Sequence, residues 1–110
     1  MNMNELHTLQ QWQDALQESD GHPLFVMKHS STCPISAAGY QEFLFYETEL
    51  PKYVAVVQTA RDVSQKIAED TGVRHESPQV LLLKDGKAVW HASHYDIQRD
   101  NLAGAEERSS

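Results

Sequence analysis

Leu6, Leu9, Trp12, Ala15 and Leu16 recur at steps of three and four through a stretch rich in Gln and Glu. That spacing puts them on one helical face and predicts an amphipathic helix over residues 4–19, ended by Asp20-Gly21. Leu24-Phe25-Val26-Met27 is a nearly continuous apolar run after Pro23, the pattern of a strand covered on both faces, and it is expected to end near His29. In Ser30-Ser31-Thr32-Cys33-Pro34, hydroxyl side chains precede a proline at a natural first helical position. A helix is therefore predicted over 34–48, although Gly39 costs its middle about 1 kcal/mol of propensity relative to alanine. Tyr53-Val54-Ala55-Val56-Val57 is β-branched and aromatic and predicts a second buried strand. Val63, Ile67 and Ala68 are spaced for a helix over 61–71, with Gly72 as its stop. Residues 79–84 and 87–92 flank Asp85-Gly86, a pair favoured in two-residue type I′ turns, which predicts an antiparallel hairpin. A last helix is expected over 96–105, and the polar residues 106–110 are expected to fray.

The resulting order is α-β-α-β-α-β-β-α. Two parallel strands joined by a crossover helix, then a hairpin and a terminal helix, predict an α/β, thioredoxin-like fold. Its central mixed sheet would have four strands flanked by helices, with an extra N-terminal helix. At 110 residues one domain is expected over 1–110, with its core over about 24–105. A net charge of -7, with nine Lys and Arg residues scattered along the chain, would repel phosphates and anionic lipid, so no nucleic-acid or membrane role is expected. No apolar run approaches the roughly 20 residues of a membrane span. Residues 1–13 lack the basic start and apolar middle of a secretory signal. With one cysteine no internal disulfide can form, and a reducing cytoplasm is the expected location.

Cys33 falls at the join between a strand and the helix after it, where unpaired N–H groups and the positive end of the helix dipole favour a thiolate. Cys33-Pro34-Ile35-Ser36 has the spacing of a Cys-x-x-Cys redox motif with serine in place of the second cysteine. An intramolecular dithiol cycle is thereby excluded, while the Ser36 hydroxyl remains placed to donate to the sulfur. A lowered thiol pKa raises the thiolate fraction but reduces its intrinsic nucleophilicity, and the two nearly cancel for attack. The lasting gain is as a leaving group. Ser77-Pro78, after a helix and glycine and before the hairpin, is a candidate cis peptide facing the cysteine loop, where nearby backbone would pair with an extended substrate.

His29-Ser30-Ser31-Thr32-Cys33-Pro34-Ile35-Ser36, Arg61-Asp62-Val63-Ser64 with Ile67-Ala68-Glu69, His75-Glu76-Ser77-Pro78-Gln79 and Trp90-His91-Ala92-Ser93-His94 resemble the YtxJ-type monothiol bacilliredoxins over residues 24–102. The resemblance implies removal of bacillithiol, a low-molecular-weight bacterial thiol, from S-bacillithiolated client proteins. It implies Cys33 as nucleophile and Thr32, Pro34, Ile35, Ser77 and Pro78 as the groove around it. It also implies no bound cofactor, bacillithiol as co-substrate, and a separate bacillithiol disulfide reductase, since the chain has no nucleotide-binding glycine motif of its own. Two other classes stay open: a non-catalytic thioredoxin-like adaptor or redox sensor thiolated at Cys33, and a monothiol glutaredoxin-like protein that uses another thiol or carries an iron-sulfur cluster.

Other residues read more plainly. A lone cysteine is often a small buried hydrophobe, but its place before proline at a strand-to-helix join argues for chemistry. His29, four residues before Cys33, reads as a packing or surface residue sooner than a proton-transfer group. His91 and His94, three apart on a strand, would point to opposite faces, and no metal site is expected. A cysteine protease would need a larger, two-part fold. Glu69-Asp70 and Glu106-Glu107 read as solvated faces, and Trp12 and Trp90 as packing residues.

Overall fold

The computed structural model describes residues 3–109. A five-stranded mixed sheet in the order β1-β3-β2-β4-β5 carries helices on both faces. Its elements are β1 (Met3–Glu5), α1 (Leu9–Glu18), β2 (Leu24–His29), α2 (Pro34–Phe45), β3 (Lys52–Val56), α3 (Arg61–Thr71), β4 (Gln79–Lys84), β5 (Lys87–Ser93) and α4 (Arg99–Ser109), with a single 3₁₀ turn (His94–Asp96) between the last two. β2 and β3 run parallel, Phe25 opposite Lys52 and His29 opposite Val56. β4 returns antiparallel to β2, with Lys28 opposite Gln79.

Alternation along β2 and β4 splits the core in two. Leu24, Val26, Leu81 and Leu83 face Trp12, Val63 and Ile67 of α1 and α3. Phe25, Met27, Val80 and Leu82 face Phe43, Leu102 and Ala105 of α2 and α4. Both central strands are buried on both sides, as their unbroken apolar runs predict. β5 alternates exposed and half-buried positions as an edge strand does. The hairpin is of the expected kind, with Asp85 and Gly86 both at positive φ, 54° and 74°.

Several expected boundaries move. The described residues open with a fifth strand, not a helix: Met3, Asn4 and Glu5 pair with β3, and the Leu6 N–H donates to the Val54 carbonyl. α1 consequently starts at Leu9. Thr8 caps it by accepting from the Gln11 N–H, while the Gln11 side chain accepts from the Thr8 N–H, a reciprocal pair that fixes the start. α2 ends at Phe45 and not at 48, because the Lys52 ammonium donates to the carbonyls of Phe43, Leu44 and Tyr46 at 2.8, 3.2 and 2.8 Å and turns the chain outward. Residues 96–98 precede α4 without joining it, and α4 runs to Ser109, so the expected fraying over 106–110 is not seen through residue 109. The Glu106 carboxylate accepts from the Tyr46 and Thr48 hydroxyls, both at 2.6 Å, and Lys84 donates to the Ser109 carbonyl. Ser110 lies outside the described residues.

Candidate active site

The C-terminal ends of β2 and β3 and the start of β4 meet at one end of the sheet, and the chain segments leaving them form the site. Ser30-Ser31-Thr32-Cys33 follows β2. Gln58, just beyond β3, holds this loop: its Oε1 accepts from the Ser31 N–H, and its Nε2 donates to Ser30 Oγ at 2.7 Å and Thr32 Oγ1 at 3.2 Å. From the other side the Ser36 Oγ accepts from the Ser30 N–H at 3.2 Å. The loop is thus pinned at both edges.

Cys33 is the N-cap of α2 and Pro34 occupies its first turn, as the sequence predicts. Ordinary N-caps spend a side-chain oxygen on the open N–H groups; Cys33 makes no side-chain cap bond. The open groups bear on its sulfur instead. The Ser36 N–H contributes most to holding the thiol below its ordinary pKa, against desolvation, with the Ile35 N–H and the Ser36 hydroxyl adding to it. Cys33 is partly exposed and Ser36 fully buried. The fourth motif position is therefore a fixed polar support inside the first helical turn.

Thr32 and Pro34 are exposed on the rim. Ile35 is half-buried and lines a groove of about 310 Å³ with Gly39, Glu42, Tyr95 and Ile97. The Ser77-Pro78 peptide, a candidate for either isomer on the sequence alone, is cis. Pro78 stands against the middle of α2: a Cβ on Gly39 would lie 3.6 Å from Pro78 Cβ and 3.4 Å from Ile97 Cδ1. The Pro78 carbonyl accepts from the His94 N–H at 3.0 Å, and His94 takes a positive φ of 56° there. Cys33, Ser36, Ile35 and the Ser77-Pro78 loop are thus brought to one end of the fold. The Ser77 hydroxyl is buried there without a hydrogen-bond partner.

His29 packs, its ring stacked on Tyr40 with centroids 4.6 Å apart. Burial holds its pKa below the ordinary value, opposed by the Ser36 backbone, and its Nδ1 is buried without a partner. His91 and His94 do not share a strand, since His94 begins the 3₁₀ turn and sets its Nε2 3.4 Å from Glu76.

Three residues at this end were not singled out from the sequence. Gln58 carried no signal, because a glutamine between strand and helix reads as loop. Lys28 did: a lysine inside an apolar, doubly covered strand has to be buried with its charge. Its ammonium, on a residue with no exposed surface, stands 3.2 Å from His75 Nδ1. His75 in turn borders a second cleft, of about 540 Å³, with Gln58, Arg61 and Ser64.

Comparison with known proteins gives these features a context. Residues 4–102 match the family profile described as monothiol bacilliredoxin BrxC, so the match begins before residue 24 and takes in the edge strand and α1. A solved structure described as "A putative oxidoreductase with a thioredoxin fold" is 39% identical, superposes with a TM-score of 0.88, and aligns over 96% of this chain and 94% of its own. The thioredoxin of Fasciola hepatica is 17% identical with a TM-score of 0.78 over 98% of this chain and 100% of its own. Reduced thioredoxin of Schistosoma mansoni is 12% identical with a TM-score of 0.76 over the whole of both chains. The last two are alike in fold alone.

Proposed function

Since the chain belongs to the monothiol bacilliredoxin BrxC family and is a thioredoxin-fold thiol oxidoreductase, we propose that it removes bacillithiol from S-bacillithiolated proteins by exchange at Cys33. The observation that carries the reading is the pairing of one thiol, at an uncapped helix start, with a buried serine where a resolving thiol would stand.

The Cys33 thiolate attacks the bacillithiol sulfur of the modified client. A Cys33–bacillithiol disulfide forms, the client disulfide breaks, and the client thiolate leaves with the electron pair. Ser36 cannot form a disulfide, so the adduct waits for an external thiol. A second bacillithiol thiolate attacks the bacillithiol sulfur of the adduct, Cys33 departs as thiolate, and bacillithiol disulfide is released to a separate reductase. Donors at the helix start stabilise Cys33 as leaving group in this second exchange. The groove beside Ile35 and the Ser77-Pro78 loop receives the client backbone, while Thr32 and Pro34 form the exposed rim. No bound cofactor takes part, and the reaction suits the reducing cytoplasm. No helix among the described residues is long and apolar enough to cross a membrane.

The test is a catalytic amount of the protein incubated with a bacillithiolated client and bacillithiol. Many bacillithiols released per molecule, with none above background for Cys33→Ala, is the expected result. Stoichiometric capture would assign a redox sensor instead, and equal release by the two proteins would end the proposal.

A further inference from the structure

The cleft at the start of α3 is backed, through His75, by a buried positive charge for which the exchange at Cys33 has so far had no use. Lys28 has no exposed surface, and an ammonium removed from water costs several kcal/mol unless an anion or several acceptors meet it. Here it meets one ring nitrogen, His75 Nδ1 at 3.2 Å, which also lies 3.3 Å from Ser64 Oγ. Among the described residues no carboxylate pairs with Lys28. Burial lowers its pKa to about 8, so at neutral pH it remains mostly charged. Donation from Lys28 makes Nδ1 the acceptor, which leaves a neutral His75 ring with its proton on Nε2 as a donor. Arg61 and His75 line the cleft, and no acidic residue does. The neighbouring Glu76 is drawn to His94. In a chain of net charge -7, a cleft of this kind is a local exception to a field that repels anions.

The cleft also adjoins the loop that leads into the reacting cysteine. Gln58 lines it and at the same time bonds Ser30, Ser31 and Thr32, the three residues before Cys33. About 540 Å³ is within the range of small-molecule sites.

We propose that this cleft holds a carboxylate of the small thiol joined to Cys33, with the Arg61 guanidinium and the His75 ring as its clamp and Lys28, buried behind His75, as the positive charge at its back. A carboxylate supplies the negative charge that Lys28 lacks and fits the planar fork of an arginine. The inference rests on the proposed reaction in needing a small-thiol adduct at Cys33, but not on which thiol forms it.

The test uses two symmetrical disulfides with the full chain at low salt: dithiodipropionate, which carries carboxylates, and bis(2-hydroxyethyl) disulfide, which is neutral. In each, Cys33 forms a mixed disulfide and releases one thiolate. Rates are divided by those of free mercaptoethanol with the same probe. The carboxylate probe is expected to be favoured by about fivefold, the size of a partly screened charge contact. Lys28→Met and Arg61→Gln should each bring the ratio close to one. A wild-type ratio at or below one, as net charge alone dictates, overturns the proposal, as does a preference that survives both substitutions. Arg61 is exposed, so its variant remains informative if the Lys28 variant folds poorly. In Cys33→Ser, succinate should shift the His75 ring nitrogen resonances in nuclear magnetic resonance spectra. No shift, or a shift with inorganic phosphate alone, overturns the carboxylate assignment. Anion preference without turnover on bacillithiolated clients would end the proposed function and leave this inference standing. Turnover without the preference would do the reverse.

Discussion

Two buried lysines stand at opposite ends of the same sheet and are treated in opposite ways. Lys52, at the start of β3, gives its ammonium to three carbonyls at the end of α2 and lies 5.3 Å from the centre of the Phe43 ring. Lys28, near the end of β2, has one ring nitrogen. The contrast extends to the surroundings. Around Lys52, the Tyr46 and Thr48 hydroxyls are both bonded to Glu106. Among the described residues, the buried side-chain atoms without partners, His29 Nδ1, Ser77 Oγ and Gln79 Oε1, all lie at the Lys28 end. Buried polar groups are normally paired, and departures concentrate where a site is kept ready for something absent. One end of the sheet closes the fold; the other leaves donors and acceptors open beside Cys33.

The sharpest way to break this comparison is to make the same substitution at both lysines. Lys52→Met leaves the carbonyls of Phe43, Leu44 and Tyr46 without their shared donor, and a loss of about 3 kcal/mol in urea denaturation is expected. Lys28→Met removes a buried charge that has no counter-ion and fills its place with an unbranched apolar chain, so its stability should change by less than about 1 kcal/mol or rise. Equal losses at the two positions would show that both lysines are structural.

The sequence makes one of these ends more legible than the other. Every central strand, the hairpin turn and the helix start at Pro34 follow from local patterns, because apolar run length, Asp85-Gly86 and a proline at a first helical position act within a few residues. Cys33 and Ser36 are legible for the same reason. The edge strand is not: Met3, Asn4 and Glu5 are held by backbone pairing to β3, about 50 residues away in sequence, and their side chains carry no period. The early start assigned to the first helix came from counting Leu6 on its apolar face, when Leu6 is instead buried ahead of the Thr8 cap. Lys52 closing α2, Glu106 anchoring α4 and Gln58 clamping the cysteine loop are likewise long-range polar contacts, which no periodicity encodes. Such contacts define both ends, so the cysteine motif was readable and the cleft beside it was not.

Ser36 tests the site end at the cysteine itself. Its hydroxyl is an acceptor for the Ser30 N–H and one of the groups favouring the Cys33 thiolate. Ser36→Ala therefore strands a backbone donor and should cost about 1–2 kcal/mol of stability. It should also raise the Cys33 pKa, read from thiolate absorbance in the ultraviolet during a pH titration. An unchanged titration would assign the support of the thiolate to the Ser36 and Ile35 N–H groups alone, and a fall would contradict the geometry.

The last effect is a pH dependence that belongs to Lys28. Its pKa in the folded protein is about 8 against an ordinary 10.5, so between those values the unfolded chain binds more protons and stability rises with pH. Below about pH 8 lysine is charged in both states and the burial penalty is present in full; through the window the penalty is relieved, at no more than about 1.4 kcal/mol per pH unit. Lys52 is also lowered by burial, giving a slope of the same sign. Tyr46 and Tyr53, raised mainly by burial and by Glu106 and Glu18 respectively, stabilise the fold less once the unfolded tyrosines ionise near pH 10. Subtracting the unfolding free energy of Lys28→Met from that of the wild type at pH 7.5 and 9.5 removes those shared contributions. The difference should move in favour of the wild type by about 1.8 kcal/mol across that interval. No movement would mean that Lys28 ionises as an exposed lysine does, and that the cleft beside it holds no buried charge for an anion to meet.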